Sequence, residues 1–389
     1  MPRQASNESL STKELKNGIS GIFCNVQPYE YRIVKKERMV RMLEENVKKI
    51  VRSASLDIEQ QHTLPDDVLQ IVYDEKLFKL FLPETLGGRG LSLPDAVRVF
   101  EEAAAADGSF GWLVTIGSGG NMFLENMTGL QAEELFTPAD AVIAGSGQPT
   151  GEAHEEDGGY RVSGEWHYCS GAPYASMFTA NTMIWQDGTA TEEVRACIFL
   201  PDQVEIIEDW NAFGLRGTAS HTIRVHDAFV PRERTFSVTD KQNAVGLPVH
   251  NFPFVQFSQV SFAAVCLGLT SRFLEEAHLL AERSKPHWSS EKVAVTMRLL
   301  KEQQHRFSEA EQLFHTAVSR RWDMHLDGRL DEHELEQLSA VCIESADIAT
   351  DCAVQLFRRL GMQAVLESTP ANRAFRDLWT AGQHGFLQL

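Results

Sequence analysis

No two cysteines of this chain stand in a Cys-x-x-Cys pair. The six, Cys24, Cys169, Cys197, Cys266, Cys342 and Cys352, are scattered. Neither a zinc site nor a thioredoxin-type motif is suggested, and all six read as small buried hydrophobes. No stretch approaches the ~18 uninterrupted apolar residues of a membrane span. The opening MPRQASNESLSTKELKNG lacks the apolar run of a signal peptide. A reduced cytoplasmic protein is the expectation. Positive charge is in deficit: 36 Lys and Arg stand against 54 Asp and Glu, a net charge of -18. Long-range repulsion argues against nucleic acid and anionic membranes as partners. There is no internal repeat and no low-complexity tract. The Gly-rich stretch at 117–120 has no following Lys-Ser/Thr, so it is not a P-loop. His154, with Glu155 and Glu156, reads as a solvated turn, and no metal site is expected.

What the chain does contain is a change of texture along its 389 residues, 43% of them hydrophobic. Residues 1–30 are rich in Ser, Asn and Lys and read as a mobile arm. From Tyr31 the pattern is helical, with Val40, Leu43, Val47 and Ile50 at spacings of three and four. A second helix follows Pro65, LPETLGGRGLSL reads as a loop, and helices resume at Pro94 and run to about Phe136. From Pro138 short apolar runs alternate with turns, with Gly158-Gly159 and Asp187-Gly188 as hairpin candidates. Beyond about residue 235 the chain is helical again, with a long apolar helix carrying Ala263, Ala264 and Gly268, then helices over 289–323, 332–360 and from Pro370. This gives a helical domain over 31–137, a mostly antiparallel β domain over 138–235 and a helical domain over 236–389.

That order resembles the acyl-CoA dehydrogenase fold, an α+β arrangement with an N-terminal helical domain, a middle antiparallel β domain and a C-terminal helical bundle. Four motifs strengthen the resemblance. They are LPETLGGRGLSL with AAADGSFGW, GQPTGEAHEEDGGYRVSGEWHYCSGAPYAS, FGLRGTASHTIRVHDAFVP and RLGMQAVLESTPANRAFRDLWTAGQH. The dehydrogenases carry a catalytic Glu shortly after the Arg-Asp pair. Here His384 and Gly385 stand where Tyr and Glu would be. Some dehydrogenases place the base on the first long C-terminal helix, which leaves Glu275 and Glu276 open beside the plainer reading of a solvated helical face. The Ser-Gly-Glu-Trp and Ala-Gly-Gln-His segments resemble instead the two-component flavin-dependent monooxygenases. That branch implies reduced FMN or FAD, a separate flavin reductase, a small organic substrate, a homotetramer, and oxygen transfer through a C4a-hydroperoxyflavin. A dehydrogenase with a non-standard base and a flavin-free ligand-binding member are the alternatives.

The resemblance assigns roles to particular residues. Ser170 matches a hydroxyl that reaches flavin N5, and Gly171 follows it in the cofactor segment. The competing reading of Ser170 is a strand-end turn. Tyr168 aligns with an aromatic beside the isoalloxazine, or is a core aromatic. Ser146 and Gly147 match the loop that meets the pyrimidine edge, or make an ordinary strand-to-turn transition. His384 matches a group near C4a that serves the oxygen chemistry, or else a helix-end contact. Arg373, Arg376, Asp377 and Arg216 read as structural. Arg358 and Arg359 replace glycines that let the dehydrogenases approach the adenine half of FAD, which makes FMN plausible. No histidine lies between His62 and His154, so the phenol-activating His of several relatives is missing. Gly117, Gly119 and Gly120 either open space for a bulky substrate or break a helix.

Overall fold

A computed structural model describes residues 43–388. The arm expected over 1–30, the helix start at Tyr31 and Val40 lie outside the described residues. The first described helix, α1 (Glu45–Gln61), buries Val47, Val51 and Ile58 along one stripe. Helix α2 (Asp66–Asp74) follows Pro65 and buries Val68 and Val72. Helix α3 (Leu93–Ala106) starts on Ser92, whose hydroxyl accepts the Asp95 N–H, with Pro94 in its first turn. Asp107 then caps α4 (Gly108–Gly119) by accepting the Phe110 N–H. Thr128 and Gln131 form a capping box at the start of α5 (Gly129–Phe136).

The middle of the chain forms one seven-stranded sheet. Its strands are β1 (Ile143–Glu156), β2 (Gly159–Cys169), β3 (Met177–Gln186), β4 (Thr189–Phe199), β5 (Glu205–Ile207), β6 (His221–Pro231) and β7 (Thr235–Phe236). Their order across the sheet is β5-β6-β2-β1-β3-β4-β7. Every pairing is antiparallel except β1 with β3. The first hairpin turns one residue earlier than Gly158-Gly159. Glu156 already faces Gly159 in the ladder, so Asp157 and Gly158 make the turn. Gly158 takes the left-handed φ of 79°. Gly159 belongs to the strand because a Cβ there would lie 2.3 Å from Val230 O on β6. Asp187-Gly188 does form a turn, with φ of 50° and 76°.

Four helices follow: α6 (Phe254–Ser284), α7 (Ser290–Leu326), α8 (Glu332–Leu360) and α9 (Pro370–Ala381). Helix α6 is long and apolar enough to cross a membrane by composition, yet 78% of its most apolar window is buried inside the bundle. Its small residues face inward. A Cβ on Gly268 would lie 2.1 Å from Glu101 O, so this glycine lets α6 close on α3. Ala263, Ala264 and Gly268 are therefore spent inside the chain and leave nothing for a contact between copies. The five cysteines among the described residues are free and buried. Burial pushes the thiols of Cys169 and Cys266 up to about 12, which keeps them inert.

Candidate functional site

Ser170 sits where two strained segments meet. At the end of β2, Tyr168 has φ 64° and Gly171 has φ 77°. The Ser170 N–H donates back to Tyr168 O at 3.0 Å, and the Gly171 N–H donates to Thr218 O at 2.9 Å. Across from them Leu215 and Ala219 have φ 53° and 45°. Such angles on residues with a Cβ cost of order 1–3 kcal/mol each and persist only when neighbours over-determine them. Helix α9 supplies that restraint. Asp377 Oδ1 accepts the Leu215 N–H at 2.6 Å, and Arg376 donates to Phe213 O at 3.0 Å. A Cβ on Gly214 would lie 2.1 Å from Arg376 O, so only glycine permits the contact.

The charged residues behind this loop form a buried cluster. Arg373 Nε donates to Glu59 Oε2 at 2.9 Å, and Arg376 also pairs with Glu59. Arg216 reaches Glu59 at 3.5 Å and Glu367 at 3.4 Å. Burial, with the nearby Asp107 carboxyl, pushes Asp377 up to about 7. These groups link α1, α9 and the loop, as structural ion pairs do.

Ser170 is 8% exposed, and its hydroxyl is engaged on its inner side. The Trp112 indole N–H donates to it at 3.0 Å, and Ser220 Oγ lies 2.7 Å away. Ser220 in turn lies 2.7 Å from Thr218 Oγ1. Trp112 was visible in the sequence only as part of the Gly-Trp pair. Thr218 and Ser220 carried no signal beyond the GTAS string that contains them.

The same indole leads to His384. The Trp112 ring stacks on Phe262 at 5.2 Å between centroids, and the His384 ring lies 3.8 Å from Phe262 and 5.7 Å from Trp112. Phe386 lies parallel to the imidazole at 5.6 Å. Burial among these rings pulls His384 down to about 4, so it is neutral at physiological pH. His384 Nδ1 accepts the Phe386 N–H at 3.3 Å. A neutral imidazole that accepts at Nδ1 carries its proton on Nε2. His384 therefore caps the last turn and is also poised as an Nε2–H donor.

The structure thus joins Ser170 and His384 through Trp112. Ser146 and Gly147 lie further along β1. The β1–β3 ladder breaks between Ser146 and Gly151, and the four residues 147–150 are exposed there. Asn181 holds the bulge by donating to Gly147 O at 2.8 Å. Nothing stands within 4 Å of where a Gly147 Cβ would be. Tyr168 is not a core aromatic: it is 69% exposed and meets Trp210 edge-on at 6.3 Å.

Ser170 and Gly171 line a tight gap of about 10 Å³, room for roughly one water, walled by Phe78, Leu113, Gly117, Val142, Ile143 and Tyr174. No carboxylate lines it. Gly117 and Gly120 do not add room. A Cβ on Gly117 would lie 2.4 Å from the Phe78 ring, and one on Gly120 2.9 Å from Ile143. The α-helix runs through Gly117 and ends at Gly119, and a 3₁₀ segment takes over at Gly120, so a helix break does fall at these glycines. Glu275 pairs with Arg52 and Arg272, while Glu276 is 6% exposed and pairs with Arg272 at 2.8 Å. Glu276 is therefore buried, unlike a solvated face. It lies fourteen residues beyond Phe262 on α6, roughly 20 Å along the helix from the His384 ring stack. A second, more open cleft of about 350 Å³ lies at the start of α7, where Glu291, Lys292, Arg358, Arg359 and Gly361 converge.

The residues present fit a flavin. Toward it the chain offers a buried hydroxyl and an exposed tyrosine at the end of β2, and exposed backbone at the β1 ladder break. The chain matches the acyl-CoA dehydrogenase N-terminal domain over residues 35–138 and the acyl-CoA dehydrogenase C-terminal domain over residues 260–389, together more than half of its length. It is 25% identical over 336 residues to a pigment production hydroxylase of Rhodococcus sp. (strain ATCC 21145), covering 83% of this chain and 86% of that one. It is 30% identical over 228 residues to the flavin-dependent monooxygenase oxygenase subunit HsaA of Rhodococcus jostii (strain RHA1), covering 56% and 59%. The structure of XiaF from Streptomyces sp. with FADH2 and glycerol superposes with a TM-score of 0.80 at 21% identity, over 88% of this chain and 89% of that one. The chain belongs to the acyl-CoA dehydrogenase-like superfamily, and its distant homologues are oxygenase components of flavin-dependent monooxygenases.

Proposed function

We propose that this chain is the oxygenase component of a two-component monooxygenase, which takes reduced flavin from a separate reductase and inserts one oxygen atom of O₂ into a small organic substrate. The observation that carries this reading is the joining of Ser170 to His384 through the Trp112 indole, beside a gap that Ser170 lines and no carboxylate enters. A dehydrogenase needs a carboxylate to remove a proton beside a carbonyl. Here Gly385 occupies the position where the resemblance puts one. An oxygenase needs a positioned donor and the exclusion of water, and the neutral His384 imidazole, with its Nε2–H among buried rings, meets that need.

Reduced flavin supplies the electrons that activate O₂. Ser170 would meet N5, the exposed backbone at Ser146 and Gly147 the pyrimidine edge, and Tyr168 the open side of the ring system. His384 offers its Nε2–H as a fixed donor. Phe262 and Phe386 keep water from that imidazole, and Trp112 holds Ser170 in place. The basic cleft of Lys292, Arg358 and Arg359 suits the flavin's phosphate end, with FMN as well as FAD. Exposed Met362, Val365, Leu366 and Trp379 support assembly with further copies of the chain, as in a homotetramer.

The test mixes the purified chain anaerobically with reduced FMN or FADH2 and admits O₂. The expected result is that the chain alters the rate of flavin oxidation and lowers the yield of free peroxide. Bleaching of a bound oxidised flavin by an acyl-CoA, lost in Glu275→Gln or Glu276→Gln, would establish a dehydrogenase instead. Absence of flavin binding in both redox states would leave a ligand-binding member of the fold.

A further inference from the structure

Beneath Ser170 four polar groups form one run of hydrogen bonds, and their hydrogens can be counted. Thr218 Oγ1 lies 2.8 Å from Leu215 O. A carbonyl has no hydrogen to give, and two bare oxygens would repel at that distance, so the Thr218 hydrogen lies between them. The same carbonyl accepts the Trp210 indole N–H at 2.9 Å and the Thr218 N–H at 3.2 Å, which confirms its role as acceptor. Ser220 Oγ is 2.7 Å from Thr218 Oγ1. With the Thr218 hydrogen committed, Ser220 must donate to Thr218. Ser170 Oγ is 2.7 Å from Ser220 Oγ, and by the same logic Ser170 must donate to Ser220. Trp112 can only donate, and it does so to Ser170 at 3.0 Å.

Every hydrogen in the run from Ser170 to Leu215 therefore points toward Leu215. Ser170 has given its single hydrogen to Ser220 and one lone pair to the indole. One lone pair remains unengaged, on a serine that lines the gap beside Leu113 and Gly117. Thr218 is 0%, Ser220 5% and Ser170 8% exposed, so no bulk water is at hand to reverse the run.

We propose that Thr218 and Ser220 set the polarity of Ser170, so that the chain prefers a flavin bearing hydrogen on N5 over one that does not. This rests on the flavin reading above. Reduced flavin has an N5–H that the free lone pair accepts. Oxidised flavin has a bare N5, which would meet the oxygen lone pair to lone pair. Neither Thr218 nor Ser220 need touch the cofactor; both are positioning residues, and their effect is on which redox state binds.

The experiment is an anaerobic titration of the whole chain with oxidised and with reduced FMN, reading the ratio of the two dissociation constants. The native chain should favour the reduced form. Thr218→Val keeps the side-chain shape and deletes the hydroxyl. Ser220 then turns its hydrogen to Ser170, whose own hydrogen is freed to meet a bare N5. The preference should fall about tenfold, the size of one reversed hydrogen bond, mainly through tighter binding of oxidised FMN. Thr218→Ser should restore it. Ser220→Ala breaks the run at its middle and should shift the ratio in the same direction, which covers the case that Thr218→Val does not fold. Folded variants with the native ratio would overturn the polarity relay while leaving the flavin reading intact. A native chain that binds neither form would remove both.

Discussion

The indole N–H of Trp112 donates to the hydroxyl of Ser170 at 3.0 Å. Trp112 lies on α4 and Ser170 just past the end of β2, so this bond ties the N-terminal helices to the sheet beside the gap. The indole ring also lies 5.7 Å between centroids from the His384 ring on the C-terminal side, so one side chain meets groups from all three layers of the fold.

Removing the Ser170 hydroxyl should uncouple the oxygen chemistry without unseating the cofactor. In Ser170→Ala, flavin binding should persist while more peroxide is released per reduced flavin. Losing one hydrogen bond to a reactive centre corresponds to about 1–3 kcal/mol, or roughly tenfold to a hundredfold in the rate concerned. An unaltered peroxide yield in the variant would take Ser170 out of the site.

His384 should reveal itself in stability against pH. Its folded value of about 4 lies below the ordinary 6.5. Between those values the unfolded chain binds a proton that the folded chain does not, so stability falls as pH drops through that window. The full effect is roughly 3 kcal/mol. In His384→Gln, denaturant midpoints at pH 7 and pH 5 should differ less than in the native chain. Product formed per reduced flavin should drop in the same variant, and in the native chain should show no inflection near pH 6.5. Normal coupling with lowered stability would make the imidazole a cap and nothing more.

Asp377 should act in the opposite sense. Its folded value of about 7 exceeds the ordinary 3.8, so its contribution is complete below that ordinary value and is lost as pH rises toward 7. Asp377→Asn keeps an acceptor for the Leu215 N–H and removes the titration. Relative to the native chain, the variant should become progressively more stable from pH 4 to pH 7. Parallel stability curves over that range would show that the carboxyl is ionised throughout.

On the proposed reading, Arg358 and Arg359 meet the cofactor's phosphate end. Replacing both with Ala should weaken FMN binding by at least tenfold, since a charge-assisted contact contributes about 1.5–3 kcal/mol. The loss should shrink at high salt. Equal affinity in native and doubly substituted chains would place the phosphate elsewhere.

Much of this was legible in the residues themselves. Pro65, Pro94 and Pro370 mark helix starts because the fixed φ of proline is a local effect. The first hairpin turn was read one residue late, because two adjacent glycines are locally equivalent. Only the approach of Val230 on β6 decides that Gly159 pairs and Gly158 turns. Gly117 and Gly120 looked like open space for the same reason. Their partners, Phe78 and Ile143, are distant in sequence.

By itself the sequence determined the α+β order of elements and the lack of a carboxylate after Asp377. It also placed a serine at the end of β2 and a histidine after α9. These follow from periodicity, turn chemistry and residue identity, which act over a few neighbours. Only the tertiary structure decided that Trp112 joins Ser170 to His384. Tertiary contacts also determine that burial keeps the imidazole neutral with its proton on Nε2, and that Thr218 and Ser220 turn the Ser170 hydroxyl inward. Proton placement and hydrogen-bond direction depend on which groups from distant segments share a dry environment, and that is settled only when the segments pack.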